Sequence, residues 1–366
     1  MRLPCLCLAA CLLLALTACA TGAPAPTRNG AADKTTTQTP PAAGRSAETG
    51  DTGGAPAEKT PFTLRVVTQT GFNEINVADE LGFFWEEGIE LEYIGALAKG
   101  VTEFQLIEQG ELDAFTTVHP PTIAQARLAG IQTKAVAPGM VDNEEYPHVR
   151  YLVKVDSPIQ SLEEAVGKKV SITSIAPCSD GYVKYYLQSK GLDPEQVEFV
   201  TLSTPGQQEQ SLVQGLVDIT TSHPPFAGPV VASGEAREIL NTWEIFQSPG
   251  AGLSTRGFSE AFIAEHPDVV QGFVNAMYRA RRWINEHFDE AKGIVAKYLD
   301  LAPEDLSSFY YDGNKNITPA YVDKWFEISE TIGLWNSGDV QPEDVYTNDF
   351  VPKDAPASDA AITWNG

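Results

Sequence analysis

Two histidines stand in matching surroundings. Leu106-Ile107-Glu108-Gln109-Gly110-Glu111-Leu112-Asp113 leads to Thr116-Thr117-Val118-His119-Pro120-Pro121. Further on, Leu212-Val213-Gln214-Gly215-Leu216-Val217-Asp218 leads to Thr220-Thr221-Ser222-His223-Pro224-Pro225. A neutral imidazole can donate or accept a hydrogen bond, move a proton, or bind a transition metal. A third segment with reactive residue types is Ala176-Pro177-Cys178-Ser179-Asp180-Gly181-Tyr182. It links a strand pattern to a helical one, and backbone N–H groups at such a helix start can hold an anion. Asp180 complicates that use. Its carboxylate either fills the positive end of the helix itself and repels an oxyanion, or is a cap that points away. In the first case the favoured solute is a neutral or cationic small molecule, for which Phe72, Tyr182 and Phe226 offer stacking faces. Two imidazoles on opposite walls, with Cys178 or Asp180, could also clamp a metal. Nothing in the spacing fixes their distances, so no metal and no cofactor is expected. Cys178 reads as a small buried or cleft-lining residue and not a nucleophile.

The elements that must position these residues follow from periodicity. Phe62-Thr63-Leu64-Arg65-Val66-Val67 alternates as a strand, Val77 to Phe84 has helical spacing, and Ile89 to Ile94 is a second strand. Strand patterns recur at 113–117, 133–137, 169–173, 197–202 and 217–221, alternating with helical stretches. That order predicts an α/β fold with right-handed βαβ units and mostly parallel sheets. Each copy of the histidine segment reads as a helix end, a Gly turn, a buried strand and a loop at the strand's carboxyl edge. Two copies predict two lobes of like topology. Ligands of open α/β sheets lie beyond the carboxyl ends of strands, so His119 and His223 should face one cleft. By the same rule the loop after the first strand brings Gln69, Thr70, Phe72 and Asn73, the last of which can cap the next helix instead. Cys178, Ser179, Asp180, Tyr182, Gln207 and Phe226 complete the second wall. From about Ser259 the pattern turns helical. Val270, Phe273, Val274, Met277, Ala280 and Ile284 form one stripe that reads as core, with Arg279, Arg281 and Arg282 off it.

The amino-terminal segment bears on compartment. Met1-Arg2 precedes an apolar run from Leu3 to Leu16, of signal-peptide length and too short for a permanent span. It ends in Leu16-Thr17-Ala18-Cys19, which resembles the lipobox of bacterial lipoproteins, in which the Cys is acylated after cleavage. An ordinary secretory signal containing Cys is the alternative. Of the five cysteines, Cys178 alone lies in the folded part, which leaves no internal disulfide there. Residues 20–60, rich in Ala, Thr, Gly and Pro, read as a tether. The expected organisation is a signal at 1–18, lipidated Cys19 and tether at 19–60, and lobe 1 at 61–157. Lobe 2 follows at 158–248, then a return to lobe 1 with carboxyl-terminal helices at 249–345 and a tail at 346–366. The chain of 366 residues carries 49 acidic and 25 basic side chains, a formal charge of −24. Such a balance sets nucleic acid aside as a partner.

Four stretches together resemble one family. They are Ala78-Asp79-Glu80-Leu81-Gly82-Phe83-Phe84 leading to Glu87-Gly88-Ile89-Glu90-Leu91, then Gln109-Gly110-Glu111-Leu112-Asp113-Ala114. The third runs from Ile159-Gln160-Ser161-Leu162 to Gly167-Lys168-Lys169-Val170, and the fourth from Leu187 to Gly191-Leu192-Asp193, followed by Val197. In order and spacing they are similar to the substrate-binding proteins of ABC importers, in the group serving nitrate, sulfonates, taurine and thiamine precursors. The resemblance runs from about residue 62 to 335. It implies a two-lobe clamshell that closes on a small solute and presents it to a membrane permease, as an exported, lipid-anchored monomer at the outer face of the membrane or in the periplasm. Oxyanion-binding members tend to place small neutral residues where this chain has Asp180. The competing class is an enzyme, since some proteins of this fold are lyases or synthases of thiamine-precursor type. Their cysteine-rich motif has no counterpart here, and no nucleophile-elbow, phosphate-loop or zinc-protease run appears. A metal receptor using His119 and His223 is the remaining alternative.

Overall fold

Strand β1 (Phe62–Val66) forms because its alternation turns Leu64 and Val66 wholly inward, and it pairs in parallel with β2 (Ile89–Tyr93). A computed structural model describes residues 60–352, apart from 99, 307–309 and 314. Cys19, the signal segment, the tether and residues 353–366 lie outside the described residues. Between and after the first two strands come α1 (Glu74–Glu80), α2 (Phe83–Glu86), α3 (Glu103–Glu108), β3 (Ala114–Val118), α4 (Pro120–Leu128) and β4 (Thr133–Pro138). The chain then crosses to a second sheet. There it forms β5 (Arg150–Lys154), β6 (Lys169–Ile172), α5 (Tyr182–Ser189), β7 (Glu198–Thr201), α6 (Gln207–Val213), β8 (Ile219–Ser222), α7 (Ala227–Ala232), β9 (Ala236–Asn241) and α8 (Thr242–Phe246). It returns with β10 (Thr255–Ser259) and ends in α9 (Glu260–Glu265), α10 (Pro267–Glu286), α11 (Phe288–Leu299) and α12 (Pro319–Thr331). Among the described residues no helix is long and apolar enough to cross a membrane.

The second sheet has the order β7-β6-β8-β5-β9, while β3-β10-β4 and β1-β2 form the first lobe. The Asp113 N–H donates to the Arg65 carbonyl, which stitches the β1 pair to the start of β3. The sheets are mixed, not mostly parallel. β6 pairs in parallel with β7 and β8, but β5 runs antiparallel to β8 and β9, and β10 runs antiparallel to both β3 and β4. The strands that reverse direction are those that follow a crossing between lobes: each enters its new sheet from the seam. Two boundaries need correction accordingly. β5 belongs to the second sheet, so lobe 1 ends before Arg150 and not at 157. Residues 346–352, expected to begin the tail, are tied to lobe 1: Tyr346 bridges to Ala135 on β4, Asn348 bonds to Ile317, and the Phe350 carbonyl accepts from Gln271.

The histidine repeat is visible in the backbone. Gly110 and Gly215 both have φ of +71°, and their N–H groups close onto the carbonyls of Ile107 and Leu212. The chain must reverse sharply from helix to strand at both places, which a left-handed glycine permits without a Cβ clash. The copies part after the histidine. Pro120 is the first residue of α4, the favoured helix-opening position for proline, whereas Pro224 and Pro225 lie in a turn closed by the Phe226 N–H on the His223 carbonyl.

One core cluster runs across the seam. It joins Phe115, Val118 and Ile123 of lobe 1 to Tyr151, Val170 and Tyr182 of lobe 2, with Trp325 of α12 among them. The expected stripe of α10, from Val270 to Ile284, is buried, and most of it packs with Leu64, Val66 and Phe258 in a separate lobe 1 core. Burial of each such side chain stabilises by about 1.5–3 kcal/mol.

Candidate functional site

His119 ends the β3 strand and precedes α4 with extended backbone, so its ring projects from the carboxyl edge of the first-lobe sheet. Its Nδ1 lies 2.7 Å from the Leu253 carbonyl, a contact that places the proton on Nδ1 and leaves the Nε2 lone pair turned away. The same carbonyl accepts from the Trp325 indole N–H at 3.1 Å. His148 sits on the crossing between β4 and β5, fixed by its backbone N–H on Asp142 Oδ1 at 2.8 Å. The His148 ring is 4.9 Å from that of His119 and 5.0 Å from that of His223. Cys178, in the turn before α5, joins them: the ligand atoms of His119, His148 and Cys178 all lie within 4.8 Å of one another. Burial is the main force on all four groups. It holds His119 and His223 down to about 4 and His148 well below the usual imidazole range, and pushes the Cys178 thiol up to about 12. At neutral pH the site is therefore three uncharged rings and a thiol.

Tyr182 and Trp325 form the aromatic floor. Their rings stack with centroids 5.1 Å apart, and the Tyr182 hydroxyl donates to the Ala251 carbonyl. α12 brings Trp325 in because it packs against α4 on one side and α5 on the other. The first-lobe loop meets the second-lobe loop directly: a Cβ on Gly71 would lie 3.9 Å from the Pro224 carbonyl oxygen. Phe226 lines that side, close to Gly206.

The other expected residues have separate fates. The Phe72 ring lies in the lobe 1 interior with Phe288 and Tyr311, not in the cleft. Asn73 caps α1, its Oδ1 accepting from the Ile75 N–H, while its amide donates to Gln69 and Thr117. Gln69 donates to Thr116 and the Val67 carbonyl. Asp180 is engaged locally, accepting from the Ala176 N–H at 2.8 Å and pairing with Lys184 at 2.8 Å. The N–H groups of Ser179 and Gly181 are used on the Ala176 carbonyl, and the Ser179 hydroxyl meets Thr173. Two of the N–H groups of this turn are thus committed within it and not held out to a solute. Thr70 and Gln207 are exposed. His148 and Trp325 gave no sequence signal, because neither belongs to the repeat or to a cleft-edge loop of a strand.

Beneath the first wall, Glu103 of α3 accepts from the Thr116 hydroxyl at 2.9 Å and from the Thr116 N–H. Burial pushes this carboxyl up to about 7, against its ordinary 4.5. The folded protein thus holds that proton more tightly than the unfolded chain, so stability is full below about 4.5 and falls as pH rises towards 7. The loss is roughly 3 kcal/mol. Glu103→Gln is expected to flatten this part of the pH dependence. Denaturant unfolding of parent and variant at both ends of the window checks it, and equal slopes would refute it.

The fold defines a class: a two-lobe α/β binding architecture, crossed between lobes on either side of the second sheet, with a site built at the seam from both. A family model described as NMT1/THI5 like matches residues 69–291, and the chain belongs to that family. A Bacillus subtilis (strain 168) protein assigned as aliphatic sulfonates-binding is 27% identical over 244 residues, covering 65% of this chain and 70% of its own. The nitrate/nitrite binding protein NrtA of Nostoc sp. (strain PCC 7120) is 23% identical over 360 residues, covering 91% and 81%. Among solved structures, a ligand-binding component of an ABC-type import system from Staphylococcus aureus with zinc bound superposes with a TM-score of 0.64 at 13% identity, covering 82% of this chain and all of that one. The desulfurization enzyme DSZB superposes at 0.57 and 18% identity, covering 79% of this chain and 97% of its own. These likenesses establish the fold, and because an enzyme is among them the fold alone does not separate capture from catalysis.

Proposed function

We propose that the chain is an extracytoplasmic receptor that captures a small solute between its lobes and delivers it to the permease of an ABC importer. The observation that carries this reading is the seam itself, where side chains from β3, the crossing segment, the turn before α5 and the loop after β8 converge on one point. Binding of a solute there rewards closure of the lobes, which is the signal a permease can read. The curated relatives, a sulfonate-binding and a nitrate-binding protein, support capture over catalysis. The solute class differs from theirs. The converging groups are neutral, and Arg256, the buried cation whose charge reaches His119, is held by Glu74, so an oxyanion would enter without a charge partner. His119, Cys178, Tyr182, His223 and Phe226 are the contacts assigned to the solute, with Gln69 and Asn73 shaping the wall behind them. Lipidation of Cys19 and a monomeric state belong to the same reading.

The test is thermal unfolding of the full-length chain against separate sets of sulfonates, nitrate, nitrogen heterocycles, amines and transition-metal ions. One class should raise the melting temperature, by about 2.7 kcal/mol of stabilisation at a hundredfold excess over Kd. Mass spectrometry of the mature amino terminus should find the acyl group on Cys19. No response to any class, together with scattering profiles that never change, would overturn the receptor.

A further inference from the structure

The donors at the seam have a chemistry of their own. Three imidazoles and one thiol are packed against each other and against Tyr182 and Trp325. Burying polar nitrogen without a partner costs free energy. His223 Nδ1 is buried and has no hydrogen-bond partner among the described residues. His119 is held as metal-ligating histidines are: one ring nitrogen donates to a backbone carbonyl, which fixes the tautomer and aims the other lone pair.

We propose that His119, His148 and Cys178 bind one borderline-soft transition-metal ion of the zinc class at the seam, with His223 placed to supply the fourth donor as the lobes close. This deepens the receptor reading and rests on it, since it names the captured solute. Imidazole nitrogen, and a cysteine sulfur that gives up its proton to solvent as the ion binds, favour zinc or copper over calcium or magnesium, which seek oxygen. Bond lengths of about 2.0–2.1 Å to nitrogen and 2.3 Å to sulfur imply donor separations of roughly 3.5 Å around a tetrahedral ion. The observed spread of 4.8 Å is thus wider than a filled site by a little over 1 Å. Side-chain rotation or a small further closure of the lobes supplies that much. Because His119 comes from lobe 1, His148 from the crossing and Cys178 and His223 from lobe 2, the ion ties both lobes and the segment between them. An ion in this position closes the receptor as it binds.

The experiment is zinc titration by calorimetry of the full-length chain after chelator treatment, with Co²⁺ as an optical probe. One ion per chain is expected, with affinity lowered at least a hundredfold in Cys178→Ser and in His148→Gln. The Co²⁺ complex of the parent should show a thiolate-to-metal absorption that Cys178→Ser abolishes. His266→Gln, far from the seam, should bind as the parent does. Chelator-treated parent and variants should unfold at similar temperatures without metal, which separates loss of a ligand from loss of the fold. Zinc binding that survives both seam substitutions, or that is lost in His266→Gln, would overturn the site. If the metal-free chain binds an organic solute and no zinc, the receptor stands and the metal inference falls. If it binds neither, both fall.

Discussion

Replacing Arg256 by Met is expected to lower the stability of the protein by about 3–5 kcal/mol. Arg256 lies inside β10 with 1% of its side chain exposed, and its guanidinium donates to Glu74, fully buried on α1, at 2.9 Å and to the Ser254 hydroxyl at 2.9 Å. Without the cation, the Glu74 carboxylate is left in an apolar interior with water excluded. Arg281, buried nearby, feels the Glu74 charge and offsets part of the loss. For a body of this size the melting temperature should fall by roughly 10 °C. The double substitution Glu74→Leu with Arg256→Met should regain most of it, because exchanging a whole buried pair for apolar groups is close to neutral. Calorimetric unfolding of the three proteins decides the matter. A single variant that melts with the parent would mean the pair is not what anchors β10 to α1.

The second large effect is expected at Gly252. A Cβ there would press on the Asp142 backbone nitrogen and lie 2.7 Å from the Val141 carbonyl carbon and 2.8 Å from the Asp142 Cα. These are main-chain atoms, so no rotamer can relieve the overlap. Gly252 belongs to the returning crossing and Asp142 to the outgoing one, and the two segments touch at this point. Gly252→Ala should push them apart, at about 1–3 kcal/mol of stability, and raise the radius of gyration measured by scattering. Gly293→Ala on α11, where an added Cβ would meet nothing within 4 Å beyond its own helix, should instead stabilise, by about 1 kcal/mol. Unchanged stability and size in Gly252→Ala would show slack between the crossings.

The strands of the repeat, and those with plain apolar alternation, could be read from the sequence within one or two residues. β10 could not. Thr255-Arg256-Gly257-Phe258-Ser259 places an arginine and a glycine where a central strand should be apolar. The first is admitted by its ion pair with Glu74. The second is required, because a Cβ on Gly257 would collide with the Lys134 carbonyl and lie 2.5 Å from Phe115. Both reasons are long-range contacts invisible to local pattern. At the site, duplication exposed His119 and His223, while His148 depends on where a crossing segment lands and Trp325 on where the last long helix docks. Phe72 was misplaced for a related reason. The loop after β1 turns inward at that residue, and its ring meets Phe288 and Tyr311 from segments more than two hundred residues away.

The placement of β10 between β3 and β4 has a consequence for biosynthesis. A chain emerging in order from the ribosome, or threading through a translocon, delivers β3 and β4 early, with a vacancy one strand wide between them. That vacancy persists until residue 259 is out, by which time the whole of the second sheet has already emerged. The amino-terminal half is thus no autonomous folding unit. The later-born lobe can mature first, and its completion is what returns the missing strand to the earlier one.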